Sequence, residues 1–270
     1  MTTLPLFQVD AFTDRPFGGN PAAVVPLDRF PEDAWMQAVA AENALSETAF
    51  LVPRSDGDWD LRWFTPAVEV DLCGHATLAS GFVLLERLRP GSDAVRFHTK
   101  SGPLEVRRDG DRYRIDLPAR PPRPIAAPAG LTEALGARPV EVLGARDVVA
   151  VFNGAEDVRA LAPDFRALSA LDAFAVCCTA RGTGDDEDVD FVSRFFAPRK
   201  GIDEDPVTGS AHATLTPLWA DRLGKRELRA RQVSARGGEL GCTLEGERVA
   251  LTGAAVLVVE GRLYATPPAR

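Results

Sequence analysis

The stretch "DLRWFTPAVEVDLCGHATL" (residues 60 to 78) decides the fold, because the chain repeats its pattern once. Its Arg-aromatic-Phe-x-Pro motif returns in "VSRFFAP" (192 to 198), and the glycine turn that follows returns in "TGSAHATL" (208 to 215). Aligning Gly74 with Gly209 gives an offset of half the chain. We prefer this register to the literal match of "HATL", because a glycine turn sets the backbone conformation. The repeat predicts two similar halves.

The order of predicted elements is the same in both halves. Strand-like runs such as "ETAFLVP" (47 to 53) come first, and the repeated strand, the glycine turn, a helix and hairpins follow. The first helix, "HATLASGFVLLERL" (75 to 88), is apolar almost all round, which indicates a buried helix inside a sheet. The second, over 209 to 224, contains Pro217, which we expect to kink or shorten it. We therefore predict two similar α/β domains with a cleft between them.

The domain boundaries follow from the Pro-rich stretch "LPARPPRPIAAPAG" (117 to 130), which is typical of a linker. We predict an N-terminal half over residues 1 to 118, a linker over 119 to 129 and a C-terminal half over 130 to 270. In the C-terminal half, the stretch from 240 to 265 is expected to form hairpins with Glu-Gly turns. Two-fold pseudo-symmetry would make the two glycine turns face each other across the cleft.

The composition limits the possible partners. The chain of 270 residues has a formal net charge of −8 and no Lys/Arg cluster flanked by aromatic residues, which argues against a nucleic-acid partner. Its apolar runs are too short to span a membrane and its N-terminus lacks a signal-peptide pattern, so we expect a cytoplasmic protein. The segment "RGTGDDED" (181 to 188) is interpreted as a solvated acidic loop, because no lysine follows its glycines.

The cysteines and histidines do not follow a metal-binding pattern. No pair of cysteines has C-x-x-C spacing and no H-E-x-x-H motif occurs, so the sequence gives little support to a zinc site. A disulfide framework is not expected in a chain of this length. The residues concerned are Cys73, Cys177, Cys178 and Cys242, with His75, His98 and His212.

The two glycine turns are candidate anion sites. Gly74 and Gly209 each precede a helix, whose N-terminus offers unpaired N–H donors and about half a positive charge. Two such termini aimed into one cleft would hold a carboxylate without a basic residue. The alternative is that each glycine only supplies a backbone conformation for its turn. Because the glycines occur as a symmetric pair, we favour the anion site.

Two acidic residues are candidates for chemistry. Glu47 begins a strand and shares a face with Ala49 and Leu51, so its carboxylate is expected to point inward, where it is either paired or functional. The alternative is a surface glutamate at a fraying strand edge. Asp205 ends the acidic run 203 to 205 just before the second helix, where capping of the helix is the competing interpretation.

Cys73 and His75 flank the first glycine. A helix N-terminus lowers a thiol pKa, but a two-base racemase would need a second cysteine, and Thr208 stands at the symmetric position. We therefore interpret Cys73 as a small buried residue. His75 is either structural or directed at the cleft, whereas His98 and His212 are taken as structural.

The chain resembles a known family through four segments. "VDAFTDRPFGGNPAAVV", "SETAFL", "FTPAVEVDLCGHATLAS" and "EDPVTGSA" together resemble the phenazine-biosynthesis isomerase (PhzF-like) family, which is grouped with diaminopimelate epimerase and proline racemase. The resemblance implies an α/β (α+β) fold of two pseudo-symmetric domains, each a mostly antiparallel, barrel-like sheet around a central helix. It also implies a homodimer that needs no metal and no organic cofactor.

The resemblance also implies roles for individual residues. The family's acid/base glutamate falls on Glu47, its cleft histidine on His75 and its cleft aspartate on Asp205. The cysteine-dependent relatives carry two thiols, of which this chain keeps only Cys73, so it follows the glutamate branch. The positions that match the substrate-holding turns and the "GGNPA" loop are Gly74, Gly209, Ser210 and Asn20.

Three functions are compatible with this sequence. The leading hypothesis is a cofactor-independent isomerase in which Glu47 moves a proton between carbons of a small carboxylated metabolite. The helix termini would then hold the anionic group and the developing charge. The second hypothesis is an epimerase or racemase that uses Cys73 together with Glu47. The third is a non-catalytic binding protein for a small molecule or a protein.

Overall fold

The computed structural model describes residues 3 to 265 and confirms the predicted α/β class. The chain folds into two compact units, which are described separately below. The first comprises the chain up to Asp116 together with the described residues from Thr252 onward, and the second comprises Leu117–Leu251. Among the described residues, no helix is long and apolar enough to cross a membrane.

The first unit is a sheet around one buried helix. Helix α2 packs against five strands, and all of its residues except Phe82 are buried, as the apolar sequence predicted. A π-helical turn, Leu84–Leu88, continues it. The strands are β1 (Leu4–Ala11), β2 (Asn20–Pro26), β3 (Glu47–Pro53), β4 (Trp59–Phe64), β5 (Glu69–Val70), β6 (Ala94–Thr99), β7 (Gly102–Asp109) and β8 (Arg112–Pro118), and the helices are α1 (Asp33–Asn43) and α2 (Gly74–Val83).

The second unit is built in the same way around helix α6, which packs against β15 and β16. Two 3-10 turns, Gly184–Asp186 and Pro198–Lys200, interrupt its loops. Its strands are β9 (Arg123–Pro124), β10 (Glu141–Gly144), β11 (Val148–Val151), β12 (Val176–Arg181), β13 (Phe191–Ala197), β14 (Ile202–Asp205), β15 (Glu227–Gln232), β16 (Gly238–Glu245) and β17 (Arg248–Gly253). Its helices are α3 (Leu131–Leu135), α4 (Ala155–Arg159), α5 (Phe165–Ala170) and α6 (Gly209–Leu223).

Strand pairing follows the same order in both units. In the first unit, β1 is antiparallel to β2, β2 parallel to β3, β3 antiparallel to β4, β4 parallel to β6 and β6 antiparallel to β7. In the second unit, β10, β11, β12, β13, β15 and β16 follow one another with the same alternation. The repeat read in the sequence therefore corresponds to a repeated topology.

The repeated arginine forms the same kind of ion pair in each unit. Arg62 on β4 donates two 2.8 Å hydrogen bonds to Glu69 on β5, and its guanidinium lies 5.2 Å from the ring centre of Phe64. Arg194 on β13 bonds both carboxylate oxygens of Glu204 on β14, at 2.7 and 2.8 Å. Paired, bidentate bonds of this kind fix geometry as well as adding energy. Each pair fixes the position of the short strand that leads into a glycine turn.

The structure differs from the predicted division of the chain at both boundaries. The last strand, β18 (Ala255–Leu263), pairs antiparallel with β1 and so belongs to the first unit rather than to a C-terminal half. The Glu260-Gly261 pair lies inside this strand and forms no turn, whereas Glu245-Gly246 does connect two strands. The last residues of the predicted half, 266 to 270, lie outside the described residues.

The predicted linker is a fixed part of the second unit. Its residues Arg123–Pro124 form β9, and the backbone N–H of Ala119 donates to the Glu247 carbonyl at 2.8 Å. The N–H of Arg120 donates to the Ala213 carbonyl at 2.9 Å. That carbonyl lies four residues before Pro217, which has no N–H to offer it. Helix α6 therefore runs through its proline to Leu223 instead of ending there.

The acidic segment 181 to 188 is only partly solvated. Asp186 is 1% exposed, and its carboxylate accepts hydrogen bonds from Arg159 at 2.6 Å and Arg231 at 2.9 Å. These guanidinium groups lower the pKa of Asp186 below its ordinary value. The expectation of a solvated loop is wrong at this residue because its neutralising arginines are distant in sequence.

We predict that Gly81 is required for the close approach of α2 to β7. A Cβ at this position would lie 2.3 Å from Cγ1 and 2.5 Å from Cβ of Val106. Gly81→Ala should lower the free energy of unfolding by about 1–3 kcal/mol, measured by urea denaturation. Val106→Ala in the same chain should recover part of that loss. The control is Gly261→Ala, since a Cβ there meets nothing within 4 Å. Equal losses in the two alanine variants would contradict this packing argument.

Candidate active site

Gly74 is the first residue of α2, and Cys73 is the N-cap. The Thr77 hydroxyl donates to the Cys73 carbonyl at 2.5 Å, which fixes the first turn of the helix. The free N–H groups of such a turn point out of the helix end. The sequence placed this helix start correctly.

Glu47 lies at the beginning of β3 and is buried, as the inward strand face predicted. Its Oε2 lies 3.1 Å from Nε2 of His75, which belongs to the first turn of α2. The two atoms are not aligned for a hydrogen bond, and neither finds another hydrogen-bond partner among the described residues. Buried polar atoms are almost always bonded, so an exception of this kind needs an explanation.

Asn20 fixes the other side of the imidazole. Its Nδ2 lies 3.0 Å from Nδ1 of His75, and both side chains are buried. If the amide donates to Nδ1, the neutral ring carries its proton on Nε2, which faces Glu47. The orientation of the Asn20 amide and the tautomer of the neutral ring therefore determine each other.

The loop before Asn20 depends on a glycine and on a buried acid that sequence reasoning missed. Gly19 has φ +59°, and a Cβ there would lie 2.1 Å from the Ala11 carbonyl oxygen. Asp10 is 1% exposed, and its carboxylate accepts the Phe17 N–H at 2.7 Å. Asp10, the acidic residue of "VDAF", could therefore have been identified from the sequence, because an acidic residue inside an apolar strand has to be paired.

Cys73 is a buried thiol with a high pKa. Burial raises the pKa of Cys73 to about 11, and the negative charge of Glu47 acts in the same direction. The sulfur lies 3.5 Å from Nδ1 of His75. At neutral pH the residue is therefore a thiol rather than a thiolate, which agrees with its interpretation as a packing residue.

The charge on His75 depends on its two neighbours. Burial disfavours the imidazolium, but Cys73 and Glu47 outweigh burial and raise the pKa of His75 well above its ordinary value. Because the thiol keeps its proton at neutral pH, we attribute this effect mainly to the Glu47 carboxylate. Glu47 and His75 are therefore a coupled acid–base pair.

The same three residues, Glu47, Cys73 and His75, place ligand atoms within 4.8 Å of one another. A metal ion would have to displace existing contacts, because Nδ1 of His75 meets Asn20 and Nε2 faces Glu47. It would also need the thiolate, which the raised pKa of Cys73 disfavours. Within the described residues, this cluster is better explained as a hydrogen-bonded group than as a metal centre.

The second unit carries the other predicted site residues. Gly209 begins α6 with Thr208 as N-cap, and Ser210 follows in the first turn. Asp205, at the end of β14, is 8% exposed and accepts a hydrogen bond from the Thr208 hydroxyl at 2.5 Å. The N-cap residue Thr208 makes no capping bond through its own side chain, because its hydroxyl is directed at Asp205.

His212 is structural, as predicted. Its Nδ1 lies 2.8 Å from the Thr208 carbonyl, the same task that Thr77 performs for Cys73 in the first unit. Burial lowers the pKa of His212 to about 4, so it is neutral at ordinary pH. His212 and Thr77 are related by the glycine register, and the "HATL" register would have paired His212 with His75 instead.

Two groups of predicted residues are thus assembled. Asn20, Glu47, Gly74 and His75 are joined in the first unit, and Asp205, Gly209 and Ser210 lie together in the second. Sequence reasoning missed Gln232, a fully buried residue whose side chain bonds the turn from Asp205 to Thr208. Its position at the end of an unremarkable strand carried no signal.

Comparisons with known proteins give the family. The family model described as phenazine biosynthesis-like protein (PhzC-PhzF) matches residues 9–261. An uncharacterized isomerase of Pseudomonas aeruginosa is 54% identical over 261 residues, which cover 97% of this chain and 99% of that protein. A crystal structure of a PhzF-family protein from Enterococcus faecalis has a TM-score of 0.92 at 44% identity, covering 98% of this chain and 100% of that chain.

A more distant comparison concerns the fold alone. A hydroxyproline epimerase from Agrobacterium vitis has a TM-score of 0.66 at 12% identity, covering 97% of this chain and 91% of that chain. The fold is therefore one that isomerases and epimerases share. The chain belongs to the phenazine biosynthesis-like (PhzF) family, and the protein is an isomerase. The resemblance read from the four sequence segments is confirmed.

We predict that His75 and His212 titrate on opposite sides of the ordinary histidine pKa of about 6.5. The raised pKa of His75 means that the stability it contributes is present below about pH 6.5 and is lost as pH rises through its folded pKa. The pKa of about 4 for His212 means that the fold loses stability as pH falls from 6.5 toward that value.

The measurement is the pH titration of the imidazole ring resonances by NMR. Signals are assigned by their loss in His75→Gln and His212→Gln. Two rings that both titrate near 6.5 would contradict the environments described for them.

Proposed function

We propose that the protein moves a proton between two carbons of a small carboxylated metabolite, with Glu47 as the general acid and base. Glu47 would take a proton from carbon, become a neutral carboxylic acid, and return that proton to a different carbon. The substrate would gain and lose one proton overall, so no cofactor is needed to balance the reaction.

The observation that carries this proposal is the buried Glu47–His75 pair. Oε2 of Glu47 and Nε2 of His75 lie 3.1 Å apart, and neither has a hydrogen bond among the described residues. A carboxylate held in this way has an oxygen to offer to a substrate proton. A buried histidine whose pKa is raised by a neighbouring carboxylate is typical of functional sites.

The remaining site residues would hold the substrate. The backbone N–H groups at Gly74, Gly209 and Ser210 lie at helix N-termini, which favour an anionic group and the negative charge that develops when a proton leaves carbon. His75 and Asp205 would orient the polar groups of the substrate. Family membership supports these assignments, and the geometry described for each unit agrees with them.

We also propose the setting in which the protein works. It would be a cytoplasmic homodimer that acts on a small anionic substrate without a metal, an organic cofactor, a nucleic acid or a membrane. The family resemblance supports this setting, and the net charge of −8 argues against a nucleic-acid partner. Light scattering on the purified protein tests the dimer, and cell fractionation tests the location.

We predict that Glu47→Gln abolishes proton transfer but leaves the fold intact. The substitution keeps the size of the side chain and removes its basicity, and a positioned general base contributes roughly 10²–10⁴-fold. The protein is incubated in D₂O with a panel of L-proline, trans-4-hydroxy-L-proline and β,γ-unsaturated carboxylic acids with and without a ring. Deuterium incorporation is followed by mass spectrometry.

The matched control is Glu42→Gln, which makes the same change at an exposed position of α1. It should exchange deuterium as fast as the parent. Exchange at the parental rate in Glu47→Gln would exclude Glu47 as the base, and His75 or Asp205 would then be tested in the same way. A panel acid that binds but never exchanges with the parent would favour the non-catalytic alternative.

The epimerase alternative is tested by Cys73→Ser. It remains in view because the Cys73 sulfur lies 3.5 Å from the His75 ring, in the same group of residues. We expect Cys73→Ser to retain most of the deuterium exchange, because a thiol whose pKa is about 11 is a poor base at neutral pH. Loss of exchange comparable to that of Glu47→Gln would establish the two-base mechanism instead.

A further inference from the structure

Gln232 holds the turn that carries Asp205. It is the last residue of β15, where it is paired with Ser193 of β13, and it is fully buried. Its Oε1 accepts the Thr208 N–H at 2.8 Å, and its Nε2 lies 2.6 Å from the Asp205 carbonyl and 3.3 Å from the Thr208 hydroxyl. One side chain thus bonds both ends of the four-residue turn before Gly209.

The direction of each of these bonds is determined by chemistry. A backbone N–H only donates, so the Gln232 atom next to the Thr208 N–H has to be the oxygen. The other amide atom is therefore the nitrogen, and it donates to the Asp205 carbonyl, which only accepts. The same NH₂ group is directed at the oxygen of the Thr208 hydroxyl.

This arrangement orients the hydroxyl proton. The Thr208 oxygen receives a donor from Gln232, and an ionised carboxylate can only accept, so the Thr208 proton is directed at Asp205, whose Oδ2 lies 2.5 Å away. A carboxylate that accepts such a bond is favoured in its charged form. We propose that Gln232 is a positioning residue that acts through Thr208 to keep Asp205 a hydrogen-bond acceptor.

The consequence for the site rests on the proposed function. Asp205 would then receive a hydrogen bond from the substrate, such as one from an amino or hydroxyl group, and would not donate one. Gln232 also occupies the Thr208 N–H. The anionic group of the substrate is thereby left to the N–H groups of Gly209 and Ser210, which follow at the helix start.

A serine hydroxyl bonds this turn in both units: Ser101 donates to the Asp71 carbonyl at 2.7 Å, and Ser234 donates to the carbonyl of Pro206, the symmetric position, at 2.8 Å. The buried amide of Gln232 is an additional contact in the unit that carries Asp205, because Phe97 stands at the symmetric position of the first unit. Because an amide left unbonded in the interior is unfavourable, its complete bonding indicates a fixed orientation.

The test reads the titration of Asp205 and needs no substrate. The carboxyl carbon of Asp205 is followed by NMR in protein labelled at aspartate, and its signal is identified by its loss in Asp205→Asn. Every variant below leaves unchanged the other charged groups near Asp205. These groups lie on the strand of Asp205, in the preceding turn and next to Gln232. They are Asp203, Glu204, Arg194, Arg199, Lys200 and Arg231.

Three variants distinguish the proposed series of hydrogen bonds, from Gln232 through Thr208 to Asp205, from a general loss of packing. Gln232→Met removes the amide at similar volume, and Thr208→Val removes the hydroxyl. Each should raise the Asp205 pKa by on the order of one unit. The double variant should raise the Asp205 pKa no further, because both changes interrupt the same series of hydrogen bonds. Thr208→Ser, which keeps the hydroxyl, should titrate like the parent.

The matched control is Gln37→Met. Gln37 donates from Nε2 to the Thr65 carbonyl at 2.8 Å in the first unit, so the same substitution removes a similar bond elsewhere. It should leave the Asp205 titration unchanged. If Gln232→Met does not fold, Gln232→Leu serves instead: it also removes the amide without adding a charge, and should raise the Asp205 pKa.

Two results would overturn the proposal. One is an unchanged Asp205 titration in a folded Gln232 variant, and the other is a double variant whose shift is the sum of the single shifts. Either result is distinct from a failure of the proposed function, which is measured by deuterium exchange in Glu47→Gln and does not depend on Gln232.

Discussion

The bidentate arginine–glutamate pair is the interaction on which the position of each glycine turn depends. Arg62 binds Glu69, and Arg194 binds Glu204, each on the short strand that runs into a helix-opening glycine. In both cases the glutamate precedes that glycine by five positions. A helix N-terminus can act on a ligand only if its position is fixed, and a two-point bond fixes both distance and angle. The repeated motif is therefore a device that holds a turn in place.

The two units share this frame but differ in the chemistry they attach to it. Where the first unit has Cys73 and His75 around its glycine, the second has Thr208 and Ser210. Glu47, the acidic residue next to the first glycine turn, lies on β3, which is distant in sequence. Asp205, the acidic residue next to the second glycine turn, lies on the adjacent strand β14. The duplication thus gives two equivalent turns. Different residues around these turns give the Glu47–His75 pair in one unit and, in the other, the Asp205 carboxylate that accepts a hydrogen bond from a hydroxyl.

The sequence predicts local features well and long-range pairing poorly. Both helix starts, the buried face of Glu47 and the structural role of His212 were predicted, because each depends on neighbours within a few positions. The return of β18 to β1 was not, since an alternating strand does not encode its partner. Gln232 was missed for the same reason: its contacts are made 24 or more positions earlier in the chain.

Both carboxylates lie at the end of a chain of polar groups that begins with a buried side-chain amide. In the first unit the chain runs from Asn20 through His75 to Glu47, and in the second it runs from Gln232 through the N-cap hydroxyl to Asp205. An amide carries a donor and an acceptor at fixed positions, so it orients the group next to it without adding charge. Dipoles oriented in advance need no rearrangement when charge develops during a reaction. The two amides therefore give each carboxylate a defined neighbour, an imidazole in one unit and a hydroxyl in the other, and the roles proposed for the two carboxylates follow this difference.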